Sequence, residues 1–444
     1  MIAVDAEPLA PAEAARRAAA HPGAFWLSGP SRDGAAIARD WVGAGPIAIA
    51  RGAEIGDLAG LERAWTSARA VWAEAGDAPA GVPLAVGWIS YELGRRLVGL
   101  APAAPSRAGG FDGLFGFHFY DAVWSRVAGG GPRIFARDAA AAQRLQERLA
   151  RPALARAPKL GALEPVHPER LFLDGVGRVL DYLLAGDAYQ VNLSRRMRAQ
   201  AASGDPIALA ELLRARAPAP HAAFIAAPDG AGGAILGNSP ERFLALDPDG
   251  RVETRPIKGT RPRGHDAAAD RAAAAELRAS GKDRAEHVMI VDLERNDLGR
   301  VCRAGSVEVA AREQLVSLPT VHHLVSTIAG QLRPEVGLAG LLAATFPSGS
   351  VTGAPKRRAM QIIDELEPAP RGIYTGATGW LGAAGDLDLA VAIRTAVVGA
   401  GRLEVSVGGG IVVESVPEAE LAETTVKARA FVELSGAAPE RTPP

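Results

Sequence analysis

From about residue 170 onward, strand-like runs follow one another in close succession instead of alternating strictly with helices, and this ordering constrains the fold more than any other feature. AYQVNLSRRMRAQ, AAFIAAP, RFLALDP and RVETRPI all suit a pleated surface, and Gly, Pro and Asp punctuate the gaps between them. Parallel strands need a crossover of a dozen residues or so, whereas hairpin-like pairs need only a turn. The order therefore predicts an α+β fold of layered antiparallel sheets with outer helices, rather than a doubly wound parallel sheet. GSVEVAAREQLVSL, YTGATGWLG, DLDLAVAIRTAVV and RLEVSVGGGIVVES read as further strands. FLDGVGRVLDYLLAGD, AAADRAAAAELRAS, KDRAEHVMIVDLERNDLGR, LAGLLAATFP, PKRRAMQIIDELE and EAELAETTVKARAFVELS read as the helices.

Residues 1–150 form an N-terminal lobe of the same compact fold, in which 134–151, IFARDAAAAQRLQERLAR, reads as a helix. Pro152, Pro158, Pro165 and Pro168 interrupt regular structure across 151–170, a Pro/Ala-rich connector. The main region runs over 171–435, and 436–444 reads as a disordered tail. At 444 residues, with 48% hydrophobic and 22% charged side chains, the chain can bury a large interior without metal or disulfide staples.

A formal charge of -1 gives no global field towards nucleic acid or an anionic membrane surface, so any anion must be bound locally. No apolar run approaches a membrane span and the first residues have no secretory pattern, which predicts a cytoplasmic protein. The single cysteine, Cys302, excludes an internal disulfide framework and reads as a small buried hydrophobe.

Several residue patterns carry chemistry. Asp283 and Glu286 share one face of a helix, as do Glu420 and Glu423, with Lys427 one turn beyond. Two such helices could hold Mg²⁺ through carboxylates and water, although spacing alone is more readily explained by two solvated helix faces. FPSGSVTGAPKRRAM and the triplet Gly408, Gly409 and Gly410, placed after a strand, could offer backbone N–H groups to an anion or simply mark tight turns. Arg394 follows an alternating apolar run, where a buried guanidinium needs an anionic partner. His322, His323, Tyr189, Gln190, Asn192 and Glu241 flank strand starts. Lys258 stands between Pro256-Ile257 and the turn Gly259-Thr260, an unusual setting for a surface lysine.

In combination, GDAYQVNLS, NSPERFLAL, ETRPIKGTRPRG, AEHVMIVDLERNDLGR, VHHLVSTIAG, FPSGSVTGAPKRRAMQIIDELE, YTGATGWLG, AIRTAV, GGGIV and AELAETTVKA resemble, in order and approximate spacing, the chorismate-utilising enzymes. That family includes anthranilate synthase component I, aminodeoxychorismate synthase component I, and the isochorismate and salicylate synthases. The resemblance covers about 180–430 strongly and the N-terminal lobe weakly.

The resemblance implies chorismate as substrate within 171–435, Mg²⁺ as cofactor, and Lys258 as a nucleophile, since PIKGT resembles the branch that makes 4-amino-4-deoxychorismate. Anthranilate synthases, the alternative branch, usually have alanine there. It also implies Glu241 as the acid that protonates the leaving C4 oxygen, and Glu286 and Glu423 as direct metal ligands, with Asp283 and Glu420 close by or acting through water. Tyr374, Arg394 and Gly408 to Gly410 would hold the enolpyruvyl carboxylate, Thr260 and His323 would lie near the ring, and Lys427 would lie near the metal-bound carboxylate. Water-adding relatives carry a lysine where Gln190 stands, and an amide is no general base. No glutamine amidotransferase signature is present, which implies ammonia from solution or, in preference, from a separate glutaminase subunit. A homodimer is left open, and the tryptophan-binding Leu-Leu-Glu-Ser motif is replaced by AFWLSGP.

Overall fold

The computed structural model describes residues 1–30, 37–74, 76, 78–102, 109–156, 158–228 and 232–435, so the tail expected at 436–444 lies outside the described residues. Every strand pairing is antiparallel. The larger sheet runs Ile2–Asp5, Pro132–Ala136, Ala122–Val127, Ile37–Gly43, Phe25–Pro30, His221–Ala226, Ala234–Ser239, Thr395–Gly399, Arg402–Ile411, Gln190–Gln200 and Gly353–Ala354 from edge to edge. The smaller runs Ile257–Pro262, Val321–Gln331, Arg251–Arg255, Arg242–Leu246, Leu387–Val391, Ala377–Gly382, Pro83–Ile89, Phe115–Phe119 and Ala48–Gly52, with Glu308–Ser317 also on Val321–Gln331. Strands from the first 150 residues enter both sheets: Leu27 pairs with Ala223, and Trp88 pairs with Thr378.

The sheets face one another across an aromatic layer in which the ring centroids of Trp41 and Trp380 lie 5.8 Å apart. Helices Pro11–Ala18, Ala139–Ala150, Pro206–Arg216 and Pro417–Leu434 cover the larger sheet with Ala, Leu and Phe side chains. Asp57–Ala73, Gly281–Gly299 and Leu338–Thr345 cover the smaller one. The result is the layered α+β arrangement, with apolar helix stripes buried on both outer sheet faces. Cys302 is buried among these residues, and burial pushes its thiol up to about 11. Among the described residues no helix is long and apolar enough to cross a membrane.

Two elements differ from the sequence reading. The stretch 134–151 begins as the strand Pro132–Ala136, and the helix starts only at Ala139, where Asp138 caps it by accepting from the Ala141 N–H at 2.8 Å. DLDLAVAIRTAVV is two strands in different sheets, Leu387–Val391 and Thr395–Gly399. Between them the chain changes sheets, and Arg394 takes φ +48° at the crossing. Alternating apolarity looks the same on either side of such a crossing, so periodicity alone could not reveal it.

The edge pair Gly353–Ala354 packs against the start of Gln190–Gln200, with Gly353 at φ +129° and Gln190 O only 2.1 Å from where a Cβ would stand. Gly353→Ala is expected to cost about 2 kcal/mol or more through strain and displaced backbone. Calorimetric unfolding checks this, and an unchanged midpoint would show that the contact yields freely.

Candidate active site

Lys258 lies on the edge strand Ile257–Pro262, whose register against Val321–Gln331 slips by one residue at Gly259. Gly259 has φ +74°, and a Cβ there would meet Leu277 Cδ1 at 2.7 Å and Asp283 Cγ at 3.2 Å. Glycine after Lys258 is therefore a requirement of the bulge. The lysine is half-buried, with Nζ 3.4 Å from the Ser350 carbonyl oxygen. Burial, helped by the charge of Lys427, lowers its pKa against the opposing pull of Glu286, Glu241 and Glu423.

Glu241 lies at a second sheet crossing, between Ala234–Ser239 of the larger sheet and Arg242–Leu246 of the smaller. It is 3% exposed and Oε1 has no hydrogen-bond partner. Burial pushes its carboxyl up to about 7, with Glu294 adding to the rise; the Ser350 hydroxyl, the Lys258 ammonium and the Ile257 N–H pull the other way. Near neutral pH, about half of such carboxyls hold a proton.

The two crossings are tied together, since Asn238 N–H donates to Arg394 O and Val391 N–H donates to Glu241 O, both at 3.0 Å. They bring the Arg394 guanidinium near Glu241, and it makes no hydrogen bond or ion pair among the described residues. His323 contributes a neutral imidazole: burial, with Arg394 adding, drives it down to about 3. Its Nδ1 lies 2.9 Å from Thr260 Oγ1, while Nε2 has no partner. Tyr374 is buried, which raises its hydroxyl pKa, and the Arg371 guanidinium lies 5.7 Å from its ring centroid.

The glycine triplet sits inside a strand, not after one: Gly408, Gly409 and Gly410 pair with Ser194, Leu193 and Asn192. A Cβ on Gly410 would lie 2.1 Å from Gln190 Nε2 and 3.4 Å from Lys258 Nζ, so missing side chains make room for the lysine. Gln190 is fully buried and neither of its amide atoms has a partner, which leaves it able to donate and accept towards a ligand. A Cβ on Gly409 would lie 3.0 Å from Glu420 Oε2, 3.8 Å from Lys427 Nζ and 3.9 Å from Glu423 Oε1.

The four candidate metal ligands are not drawn into one cluster. Among the described residues no group of three or more His, Cys, Asp or Glu side chains converges closely enough to hold an ion. Asp283 pairs with Arg261 at 3.0 Å, Glu423 with Lys427 at 2.6 Å, and Glu420 accepts from Ser415 Oγ at 2.6 Å. Close carboxylates repel, and each of these three takes a local cation or hydroxyl. The donors nevertheless suit a hard divalent cation: Glu420 and Glu423 converge over Gly409, and Glu286 and Glu423 both act on Lys258.

Some signalled residues belong elsewhere. Tyr189 is 73% exposed, and His322 is engaged by Ser317 and Asp270. The sequence reading overlooked Ser350, whose carbonyl meets Lys258 and also accepts from Asn192 Nδ2 at 3.2 Å. It also overlooked Arg371, which donates to the carbonyls of Asn192 and Val351 and to Glu367. Ser350 lay within a segment read only for its glycines.

The chorismate binding enzyme family model matches residues 23–433. Aminodeoxychorismate synthase component 1 of Salmonella typhimurium is 50% identical over 247 residues, 56% of this chain and 53% of that protein. Anthranilate synthase component 1 of Pseudomonas aeruginosa is 46% identical over 258 residues, 58% of this chain and 51% of that protein. The chain thus matches about half the length of these curated relatives. The crystal structure of anthranilate synthase component I from Streptococcus pneumoniae superposes with TM-score 0.73 at 28% identity, covering 89% of this chain and 92% of that one.

The raised Glu241 carboxyl has a consequence for stability. Between its ordinary value of 4.5 and about 7 the folded protein binds more protons than the unfolded chain, so stability falls as pH rises through this window. Glu241→Gln removes the loss and is expected to stabilise the fold at pH 8 relative to pH 5, by up to roughly 3 kcal/mol. Denaturant unfolding of both proteins at the two pH values measures the difference, and a pH-independent gap would refute the raised carboxyl.

Proposed function

The chain belongs to the chorismate-binding enzymes, and within that family we propose that it aminates chorismate to 4-amino-4-deoxychorismate through a covalent bond to Lys258. The observation that carries this reading is a lysine amine made less basic by burial beside a carboxyl that burial pushes up to about 7. Both shifts run in the direction that a neutral nucleophile and a protonated acid require. Neutral Lys258 attacks C2 of the ring while Glu241 protonates the C4 hydroxyl, which leaves as water and shifts the ring double bond. Ammonia then attacks C4, the double bond returns, and the lysine is expelled as a free amine.

Arg394 and Tyr374 suit the enolpyruvyl carboxylate, since the buried guanidinium makes no hydrogen bond or ion pair among the described residues. His323 and Thr260 border the ring as a coupled pair, and the bare backbone at Gly408 to Gly410 lets a carboxylate approach N–H groups. Glu286 and Glu423, with Asp283 and Glu420, would hold Mg²⁺, which offsets the charge of the ring carboxylate when bound. Lys427, ion-paired to Glu423, would lie beside that carboxylate. Gln190 supports amination over hydration because it has no basic nitrogen to activate water. The ammonia source would be a separate glutaminase subunit, and a cytoplasmic setting follows from the substrate. Anthranilate synthesis is the second reading, favoured by the 46% identity to a relative of that name.

Product analysis tests the proposal. Purified protein with chorismate, Mg²⁺ and ammonium is expected to yield a product that retains its enolpyruvyl group and becomes 4-aminobenzoate only when a lyase is added. Lys258→Ala is expected to lower this activity by a hundredfold or more and to abolish the covalent adduct seen by intact-protein mass spectrometry. Anthranilate with free pyruvate would transfer the chain to the other branch.

A further inference from the structure

Arg371 is buried and takes no part in the proposed reaction, yet each of the five N–H donors of its guanidinium has a partner. Nε and Nη2 grip the Glu367 carboxylate at 2.9 and 2.7 Å. Nη1 donates to Val351 O at 3.0 Å and to Thr375 Oγ1 at 3.2 Å, and Nη2 donates to Asn192 O at 2.6 Å. The guanidinium also lies 4.7 Å from the Tyr91 ring centroid and 5.7 Å from that of Tyr374. Burial would lower its pKa, and Glu367, then Tyr91 and Tyr374, outweigh it, so the charge persists. One planar fork thus joins the strand Gln190–Gln200, the turn Gly349–Val351 and the segment that carries Tyr374.

These ties converge on the turn beside Lys258. Asn192 Nδ2 donates to Ser350 O at 3.2 Å and Asn192 N–H donates to Thr352 O at 2.9 Å, so Asn192 holds the residues on either side of Val351. Arg371 holds Val351 O and Asn192 O together. Three successive carbonyls, those of Ser350, Val351 and Thr352, are therefore fixed by two residues. Ser350 O is the one that meets Lys258, with Nζ 3.4 Å away, and contacts at reactive groups are commonly long before substrate binds. A carbonyl oxygen has two lone pairs, and with Asn192 Nδ2 on one the other is left for the lysine. A neutral amine has two N–H groups and one lone pair, so holding one N–H confines the lone pair to a narrow range of directions.

We propose that Arg371 and Asn192 are positioning residues that fix the Ser350 carbonyl so that it directs the Lys258 lone pair at its electrophile, acting through that carbonyl rather than on substrate. The inference rests on the amination reading above, in which neutral Lys258 attacks carbon. Charge balance alone does not ask for the arrangement, because Glu367 already pairs with Arg371 and itself accepts from the Ser194 N–H and Oγ, both at 2.8 Å. The remaining donors of Arg371 go to Val351, Asn192 and Thr375, which stand one or two residues from Ser350, Gln190 and Tyr374. Thr375 takes φ +58° there, a conformation that its bond from Arg371 helps to hold.

Arg371→Lys keeps the charge but replaces the planar fork by a point, and Asn192→Ala removes the second donor to the Ser350 carbonyl. Each is expected to lower kcat for chorismate consumption by about tenfold or more, with KM within about threefold. Direction has a signature that general loosening does not share. Formation of the chorismate adduct on Lys258 without ammonia, followed by intact-protein mass spectrometry, should slow along with kcat. Acetylation of Lys258 by acetic anhydride, followed by peptide mapping, asks for no set direction and should stay within about twofold of wild type. Equal losses in the two reactions, a loss carried by KM, or wild-type kcat in either variant would overturn the proposal. Denaturant unfolding checks that each variant is folded, and Asn192→Ala carries the test if Arg371→Lys is not. Wild-type protein reads the amination proposal separately: anthranilate with no adduct would end it. Crystal structures of the variants judge the positioning whatever the product. Ser350 O is expected out of hydrogen-bond reach of Lys258 Nζ, and an unmoved carbonyl would overturn the inference.

Discussion

The paired sheet crossings are the constraint on which the site depends. At Glu241 and again at Arg394 the chain leaves one sheet for the other, and the two crossings hydrogen-bond one another through Asn238 and Val391. Each crossing must satisfy backbone groups that can no longer join a ladder, so they satisfy each other. The acid and the guanidinium are thereby held near one another on rigid strand ends, and Arg394 accepts a φ of +48° to remain there.

Burial is the largest cause of the departures in pKa at Lys258, Glu241, His323 and Arg394, and its sign depends on the group. It disfavours the charged form of each, so it lowers the amine and the imidazole and raises the carboxyl. A single desolvated space can thus shift an amine, a carboxyl and an imidazole together without a separate device for each. Glycine makes that space. At Gly353, Gly408 and Gly410 a Cβ would stand within 2.4 Å of another atom, so main chains and the ends of Gln190 and Lys258 draw together where side chains would otherwise keep them apart.

Much of this was legible in the residues. Close strand succession pointed to antiparallel layers, and the helical spacing of Asp283 with Glu286 and of Glu420 with Glu423 put each pair on one helix face. Lys258 stood out because it stands between the stiff pair Pro256-Ile257 and the turn Gly259-Thr260. The crossing at Arg394 was not legible, since alternation continues through it, and neither was the strand before Ala139, because Ala and Arg suit a helix wherever they stand. Glu294 carried no signal in the sequence, since nothing local distinguishes a solvated glutamate from one buried against Ser348.

By itself, the sequence determined the chemistry available to this protein: the residue types, the local periods that make helices and strands, and the glycines that allow close approach. Those follow from short-range sterics and hydrogen bonding, which act over a few neighbouring residues. Tertiary structure alone decided which groups lose water and which face one another. It set Glu241 within reach of Ser350, brought Arg394 near Glu241, and gave Asp283 to Arg261. Desolvation and Coulomb energy depend on distance and burial in space, and residues scores of positions apart acquire both only when the sheets close.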